Sequence, residues 1–290
     1  FDLEDALSNQ KEYMCSADLK EFVEKYHLNL SQDGTFNPRD IFGSHDDSDH
    51  VYNTPRAWYM ARCLNPSTMN WDGPDADFTP LSDDIPWCMV PEKKVTIEDV
   101  KYVLSSHFQG TPYDPYASYG DKSMKGAYRA IGVNRTDFLG IIQMRPDAEE
   151  DSRAIEWVAF ASNVFNTAAP FYTDVEKVPE YFSNTTGDAS TDNFYWASRM
   201  IAAMADASYS KSIFHIERYQ ERVMSKGHEY INQYDELLAK ESNAEKRMQL
   251  RQEANQKIAD MVKKETQDTL NKVLYELSNQ MKNAYSRSDA

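Results

Sequence analysis

Several marks of common enzyme chemistries are missing from this sequence. There is no Walker phosphate loop, no GxGxxG dinucleotide fingerprint, no HExxH zinc motif and no GxSxG nucleophile elbow. No motif calls for a metal or a cofactor. The three cysteines, Cys15, Cys63 and Cys88, are odd in number and far apart. They form no CxxC pair and no zinc spacing, and a reduced, cytoplasmic chain fits that usage best. No apolar run approaches the roughly 20 residues that span a bilayer, which argues against a membrane partner. Basic residues are outnumbered, with 31 Lys and Arg against 47 Asp and Glu, a formal net charge of −16. Such a surface repels phosphate backbones and no basic stripe offsets it, which argues against nucleic acid as a partner.

The composition that is present suits a packed protein of one large or two small domains: 41% of residues are hydrophobic and 12% aromatic. Ser16 is placed to cap a helix with Leu19, Phe22, Val23 and Tyr26 on one face. Phe36 to Phe42 reads as a short extended piece. The acidic run His45 to His50 reads as a surface loop; a metal site using His45, Asp47 and His50 is a remote alternative, because no second ligand group stands at a recognisable spacing. Thr54 as N-cap and Pro55 at the first helical position open a helix through Trp58, Tyr59 and Cys63, which sets Asn53 at a helix N-terminus. Asn65 to Pro91 is rich in Pro, Asp and Ser and reads as a long loop.

Thr96-Ile-Glu-Asp99 is a capping-box pattern, followed by Ile97, Val100, Val103 and Leu104 on one helical face. Gly110 and Pro112 end that helix, and the stiff stretch to Tyr116 presents His107, Gln109, Tyr113, Asp114 and Tyr116. By itself this loop reads either as an ordinary helix-to-strand connection or as the wall of a pocket. Residues 138–144 and 155–161 read as an antiparallel hairpin joined by the polar turn Pro146–Asp151. Both runs are apolar at successive positions, which predicts strands buried on both faces in a sheet covered on each side. Pro170–Thr173 adds a short strand. From Asp192 onward there is no proline, and three amphipathic helical stretches follow, without a heptad run long enough for a free coiled coil.

Five segments occur in one order: Val51-Tyr-Asn-Thr-Pro-Arg56, Ile97-Glu-Asp-Val-Lys-Tyr-Val-Leu-Ser-Ser-His107, Gln109-Gly-Thr-Pro-Tyr-Asp-Pro115, Ile131-Gly-Val-Asn-Arg-Thr136 and Ser190-Thr-Asp-Asn-Phe-Tyr-Trp196. Together they resemble the dipeptidase A family of bacterial cysteine dipeptidases, which are N-terminal-nucleophile (Ntn) hydrolases. The likeness runs from about Tyr13 to Asp206 and corresponds to the C-terminal part of the family. It implies an α+β fold: the C-terminal part of an Ntn-hydrolase αββα sandwich with an antiparallel sheet, plus a mainly helical C-terminal region. Residues 1–190 would be a partial Ntn-hydrolase-like domain with long loops, and residues 191–290 a helical region packed on it.

The resemblance also implies a reaction. A cysteine at the mature N-terminus attacks the peptide carbonyl of a dipeptide, with its own α-amine as base and no metal. Residue 1 here is Phe, and Cys15 lies in a segment that matches the family's interior. The nucleophile is therefore expected from an upstream N-terminal part of the same enzyme, and these 290 residues alone are expected to be inactive. By similarity to related Ntn amidases such as bile-salt hydrolases and acid ceramidases, Asn53 would donate its side-chain NH₂ to the tetrahedral oxyanion, and Arg135 would favour the thiolate. Arg129 is a weaker choice for the second role. Gln109, Tyr113 and Asp114 would bind substrate, with an acidic group for the dipeptide ammonium and an arginine such as Arg129 for its carboxylate. Taken as residues alone, Asn53 reads equally as a turn residue at the start of its helix and Arg135 as a surface ion-pair partner. A homo-oligomer is expected. A reading of another class is a non-catalytic binding or assembly module that uses the helical C-terminal region.

Overall fold

The computed structural model describes residues 3–9, 11–29, 36–44, 46–86 and 88–282. The chain forms two compact units, one made of Phe1–Lys94 with Ala127–Arg129 and the other of Val95–Gly126 with Ala130–Ala290. The boundary drawn from the sequence at 190/191 falls inside the second unit, where the strands and the long helices lie together.

In the first unit, the helices are α1 (Leu3–Ser8), α2 (Leu19–Lys25), α3 (Pro38–Phe42), α4 (Asp49–Tyr52) and α5 (Thr54–Leu64). Where the sequence suggested a short extended piece, α3 is helical. Pro38 stands at its first position, where a preset φ favours helix and the missing N–H is no loss. The N-cap of α5 is Asn53 rather than Thr54, and Pro55 sits within the first turn. The helix buries Thr54, Pro55, Trp58 and Tyr59. The Asn65–Pro91 loop is tied down by side chains. Trp58 Nε1 donates to the Phe78 carbonyl at 3.1 Å and Trp71 Nε1 to the Asn65 carbonyl at 2.8 Å. The Glu92 carboxylate accepts from the Ser67 N–H at 2.6 Å, the Thr68 N–H at 2.5 Å and the Thr68 hydroxyl at 2.8 Å.

The second unit opens with α6 (Ile97–Leu104), whose capping box is reciprocal as its sequence predicts: Asp99 N–H donates to Thr96 Oγ1 at 3.1 Å and Thr96 N–H to Asp99 Oδ2 at 3.0 Å. Strands β1 (Phe138–Met144), β2 (Ala154–Phe160) and β3 (Ala169–Tyr172) form an antiparallel sheet in the order β1-β2-β3. Helices α7 (Glu180–Ser183), α8 (Phe194–Ala207), α9 (Tyr209–Leu238) and α10 (Ala244–Ser278) complete the unit. Trp157 pairs with Ile141 on β1 and Pro170 on β3, so one face of the sheet carries these residues with Ile155, Ala159 and Tyr172. That face belongs to a core that includes Val223, Ile231, Ile258 and Val262 of α9 and α10. The approach is close: a Cβ on Gly227 of α9 would lie 2.6 Å from Pro170 Cδ, so the position demands glycine.

The other face differs from the expectation of a sheet covered on both sides. It is covered at β3, where Phe171 packs on Phe182 at a ring separation of 4.7 Å. At β1 it is open: Phe138, Ile142 and Met144 are exposed. Apolar residues at successive positions set the capacity to be buried on both sides, but burial itself needs a covering layer, and no described residues supply one over β1. The fold is thus α+β with a small antiparallel sheet and mainly helical content. Among the described residues, no helix is long and apolar enough to cross a membrane.

Candidate active site

Asn53 stands between α4 and α5, exposed in the lining of a cleft of about 820 Å³ in the first unit. Its Nδ2 donates to Asp49 Oδ1, and its Oδ1 accepts from Arg56 Nη2 at 2.8 Å. The cleft is acidic, with Asp46, Asp47, Asp49 and Asp83 in its walls. His50 Nε2 lies 2.9 Å from Asp83 Oδ1. Arg129 reaches the same region from the 127–129 segment: its N–H donates to the Val51 carbonyl at 3.0 Å and its guanidinium lies 5.5 Å from the Tyr52 ring centre. Burial, and then the charge of Arg129, lowers the pKa of Arg56. A carboxamide and two guanidiniums therefore cluster beside carboxylates at one helix start. His45 lies outside the described residues; Asp47 and His50 line the cleft, but among the described residues no group of three or more His, Cys, Asp or Glu is placed to hold a metal ion. Burial raises the pKa of Cys63, which keeps it a thiol rather than an activated thiolate.

The second unit contains Arg135, Gln109, Tyr113 and Asp114. Arg135 is exposed three residues before β1. Its segment lies against the start of the His107 loop. Gly132 N–H donates to the Ser106 carbonyl at 2.8 Å, and a Cβ on Gly132 would stand 2.6 Å from the Ser105 carbonyl oxygen. Two of the segments that carry the resemblance are thus neighbours in space.

The loop after α6 is strongly constrained. Phe108 is fully buried with φ 64°, a left-handed conformation unusual for a bulky side chain, and Gly110 follows with φ 78°. Asp114 is buried, and its Oδ1 is engaged by His107 Nδ1 and the Tyr116 N–H, each at 2.9 Å. Gln109 Oε1 accepts from the His107 N–H at 3.0 Å. Tyr113 is half-buried and its carbonyl accepts from the Gly126 N–H at 3.0 Å. His107 Nε2 lies 3.2 Å from the Tyr209 hydroxyl, and the Tyr209 ring stacks on Tyr116 at 3.9 Å. Burial, with neighbouring carboxylates, pushes the Tyr116 and Tyr209 hydroxyls above their ordinary range, so both stay protonated donors.

Beside this network lies a second cleft of about 740 Å³, with Lys101, His107, Gln109 and Tyr209 among its lining. Lys101 and Tyr209 escaped the reading of the sequence. A signal for Lys101 existed: it stands four residues after Ile97 and three before Leu104, inside the apolar stripe of α6. For Tyr209 there was none, because it meets His107 across 102 positions of chain.

Comparison with known proteins places the chain in a family. The family model "Peptidase family C69" matches residues 1–222. A protein of Bifidobacterium longum named "Dipeptidase" is 47% identical over 100% of this chain and 62% of its own length. A "Probable dipeptidase A" of Streptococcus pyogenes serotype M18 is 46% identical over 97% of this chain and 57% of its own length. A "Probable dipeptidase B" of Lactococcus lactis is 33% identical over 96% of this chain and 57% of its own length. The chain therefore spans about three-fifths of the length of the curated relatives it matches. This chain belongs to peptidase family C69.

Proposed function

We propose that these residues carry the oxyanion-binding and substrate-binding side of a cysteine dipeptidase. The nucleophile is a cysteine at the mature N-terminus, contributed by sequence outside the 290 residues. The observation that carries the reading is Asn53, a carboxamide exposed in an acidic cleft at the start of a helix. When a thiolate attacks a peptide carbonyl, negative charge moves to the carbonyl oxygen. The Asn53 NH₂ is turned to Asp49 Oδ1 in this structure; swung toward the carbonyl oxygen, it stabilises the charge more in the transition state than in the ground state. The aspartates around Asn53 suit the ammonium of a dipeptide, and the Arg129 guanidinium suits its carboxylate in a two-pronged geometry. Arg135 favours the thiolate by its positive charge, and it has no hydrogen-bond or ion-pair partner among the described residues to neutralise it. Gln109 and Tyr113 are assigned to substrate binding by the resemblance of their segment, and Asp114 acts through His107, whose ring it holds. The names of the relatives support dipeptides as substrates.

The open apolar face of β1 supports the finer fold reading. An exposed row of Phe138, Ile142 and Met144 suits a second layer from the upstream part of the same enzyme, which would complete the αββα sandwich. The enzyme works in the cytoplasm as a homo-oligomer. In the full-length enzyme, Asn53→Ala and Arg135→Ala each lower dipeptide turnover by about 10²-fold or more while the protein stays folded. Unchanged turnover in both variants removes the site assignment.

A second reading, an assembly module without catalysis, draws on Leu274 and Tyr275, exposed on α10. Light scattering of a Leu274→Glu, Tyr275→Glu variant tests it: an unaltered mass rules out that surface as the assembly element.

A further inference from the structure

The cleft beside α6 has a buried primary amine that the dipeptidase reading leaves unused. Lys101 is 4% exposed and lines the cleft. Its Nζ donates to Ser105 Oγ at 2.6 Å and to the Asn163 carbonyl at 2.8 Å. Ser105 in turn donates its own hydrogen to the Lys101 carbonyl at 2.6 Å, so its oxygen is an acceptor toward the amine. A neutral amine has two N–H groups and one lone pair, whereas an ammonium has three N–H groups. The site offers two neutral acceptors and no ion-paired carboxylate among the described residues, which matches the neutral form and leaves the lone pair for the cleft. Burial acts in the same direction, bringing the amine down to about 7. The groups around it are Glu98 on its own helix, His107 and Gln109 on the following loop, and Tyr209, Glu217, Glu221 and His228 on α9. Glu98 is held by His228 at 2.7 Å. Glu217 and Glu221, one helical turn apart, leave the cleft negative.

We propose that this cleft is a binding site for a small, positively charged carbonyl compound, which Lys101 holds as an imine. The Nζ lone pair forms a C–N bond to the carbonyl carbon as the carbonyl π electrons move to oxygen. A proton passes from nitrogen to that oxygen, and the carbinolamine loses water to give the imine. Nothing is oxidised or reduced, and water reverses the reaction. The carboxylates of Glu217 and Glu221 select the cationic ligand, and the two fixed acceptors hold the amine in its reactive form.

The test is reductive trapping of the 290-residue protein at pH 7 with cyanoborohydride and betaine aldehyde, followed by peptide mapping by mass spectrometry. In unaltered protein, Lys101 acquires the secondary-amine adduct at least about tenfold faster than any other lysine. Glyoxylate, an anionic aldehyde, labels Lys101 more slowly than betaine aldehyde, and Glu217→Gln with Glu221→Gln narrows that difference. Lys101→Arg removes the adduct, with a thermal melt confirming that the variant is folded. Labelling spread evenly over surface lysines, with Lys101 no faster, overturns the site; equal labelling of Lys101 by both aldehydes overturns its preference for cations. The mapping of unaltered protein decides the matter even if the arginine variant does not fold.

Discussion

The Asn255 carboxamide closes the outer edge of the sheet: its Oδ1 accepts from the Tyr172 N–H at 2.9 Å and its Nδ2 donates to the Tyr172 carbonyl at 3.0 Å. One buried side chain from α10 thus does for β3 what a fourth strand would do. An unpaired edge otherwise presents N–H and C=O groups that invite another chain or remain unsatisfied. The opposite edge, at β1, has no such cap among the described residues, so the two edges of one small sheet meet different fates.

Asn255→Ala strips both bonds from a backbone that is out of reach of water. Each unsatisfied buried group costs about 1–3 kcal/mol. The expected outcome is a loss of about 2 kcal/mol or more in denaturant unfolding, with an unchanged slope. A change below about 0.5 kcal/mol would show that another group caps the edge.

The hairpin turn is clamped to α10 through Asp151, which receives Arg247 at 2.6 and 2.7 Å and also Arg251. These arginines, Arg247 foremost, hold its carboxyl at about 2 in the folded protein, against an ordinary 3.8. The folded state therefore favours the ionised form. The resulting stability is fully present above pH 3.8 and is lost as the pH falls toward 2. Asp151→Asn should lower stability at neutral pH and flatten the acid limb of a stability-versus-pH curve over that window. A variant whose curve runs parallel to the parent's there contradicts the clamp.

Lys101 works in the opposite sense to a salt-bridged lysine. Its folded pKa is about 7 against an ordinary 10.5, so the unfolded chain holds the proton more tightly. Stability relative to Lys101→Met should rise as the pH climbs from 7 to 10.5 and level off beyond it. Paired unfolding curves at three pH values measure this; a difference that does not vary with pH would show that the buried amine stays protonated.

Gly132 meets Ser105 where no Cβ fits, at 2.6 Å. Gly132→Ala should push the 131–135 segment off the His107 loop, displacing Arg135 without touching it. In the full-length enzyme, the expected result is a fall in kcat of about tenfold or more with secondary structure intact. Normal kcat in a folded variant would separate Arg135 from the reaction.

Local pattern made much of this molecule legible. The Thr96–Asp99 capping box, the hairpin at 138–160 and the long proline-free helices follow from interactions between near neighbours in the chain, with their periods of two and 3.6. The ordered segments around Asn53, Gln109, Arg135 and Trp196 point to a dipeptidase family, which the match to peptidase family C69 and to dipeptidase-named relatives bears out. The α3 segment reads as extended from its sequence because a five-residue stretch contains too few periods to decide, while Pro38 favours a helix start.

By itself, then, the sequence determined the longer elements and the family. Only the tertiary structure decided which side chains meet. His107 is held by Asp114 and Tyr209, Asp114 is buried rather than open to solvent, Lys101 is enclosed with two neutral acceptors, and β1 keeps one apolar face exposed while Asn255 seals β3. The physical reason is range. Caps and amphipathic periods are set by groups a few residues apart. Burial, desolvation and pairing across about 60 to 100 positions depend on which layers pack together, and no local pattern encodes that.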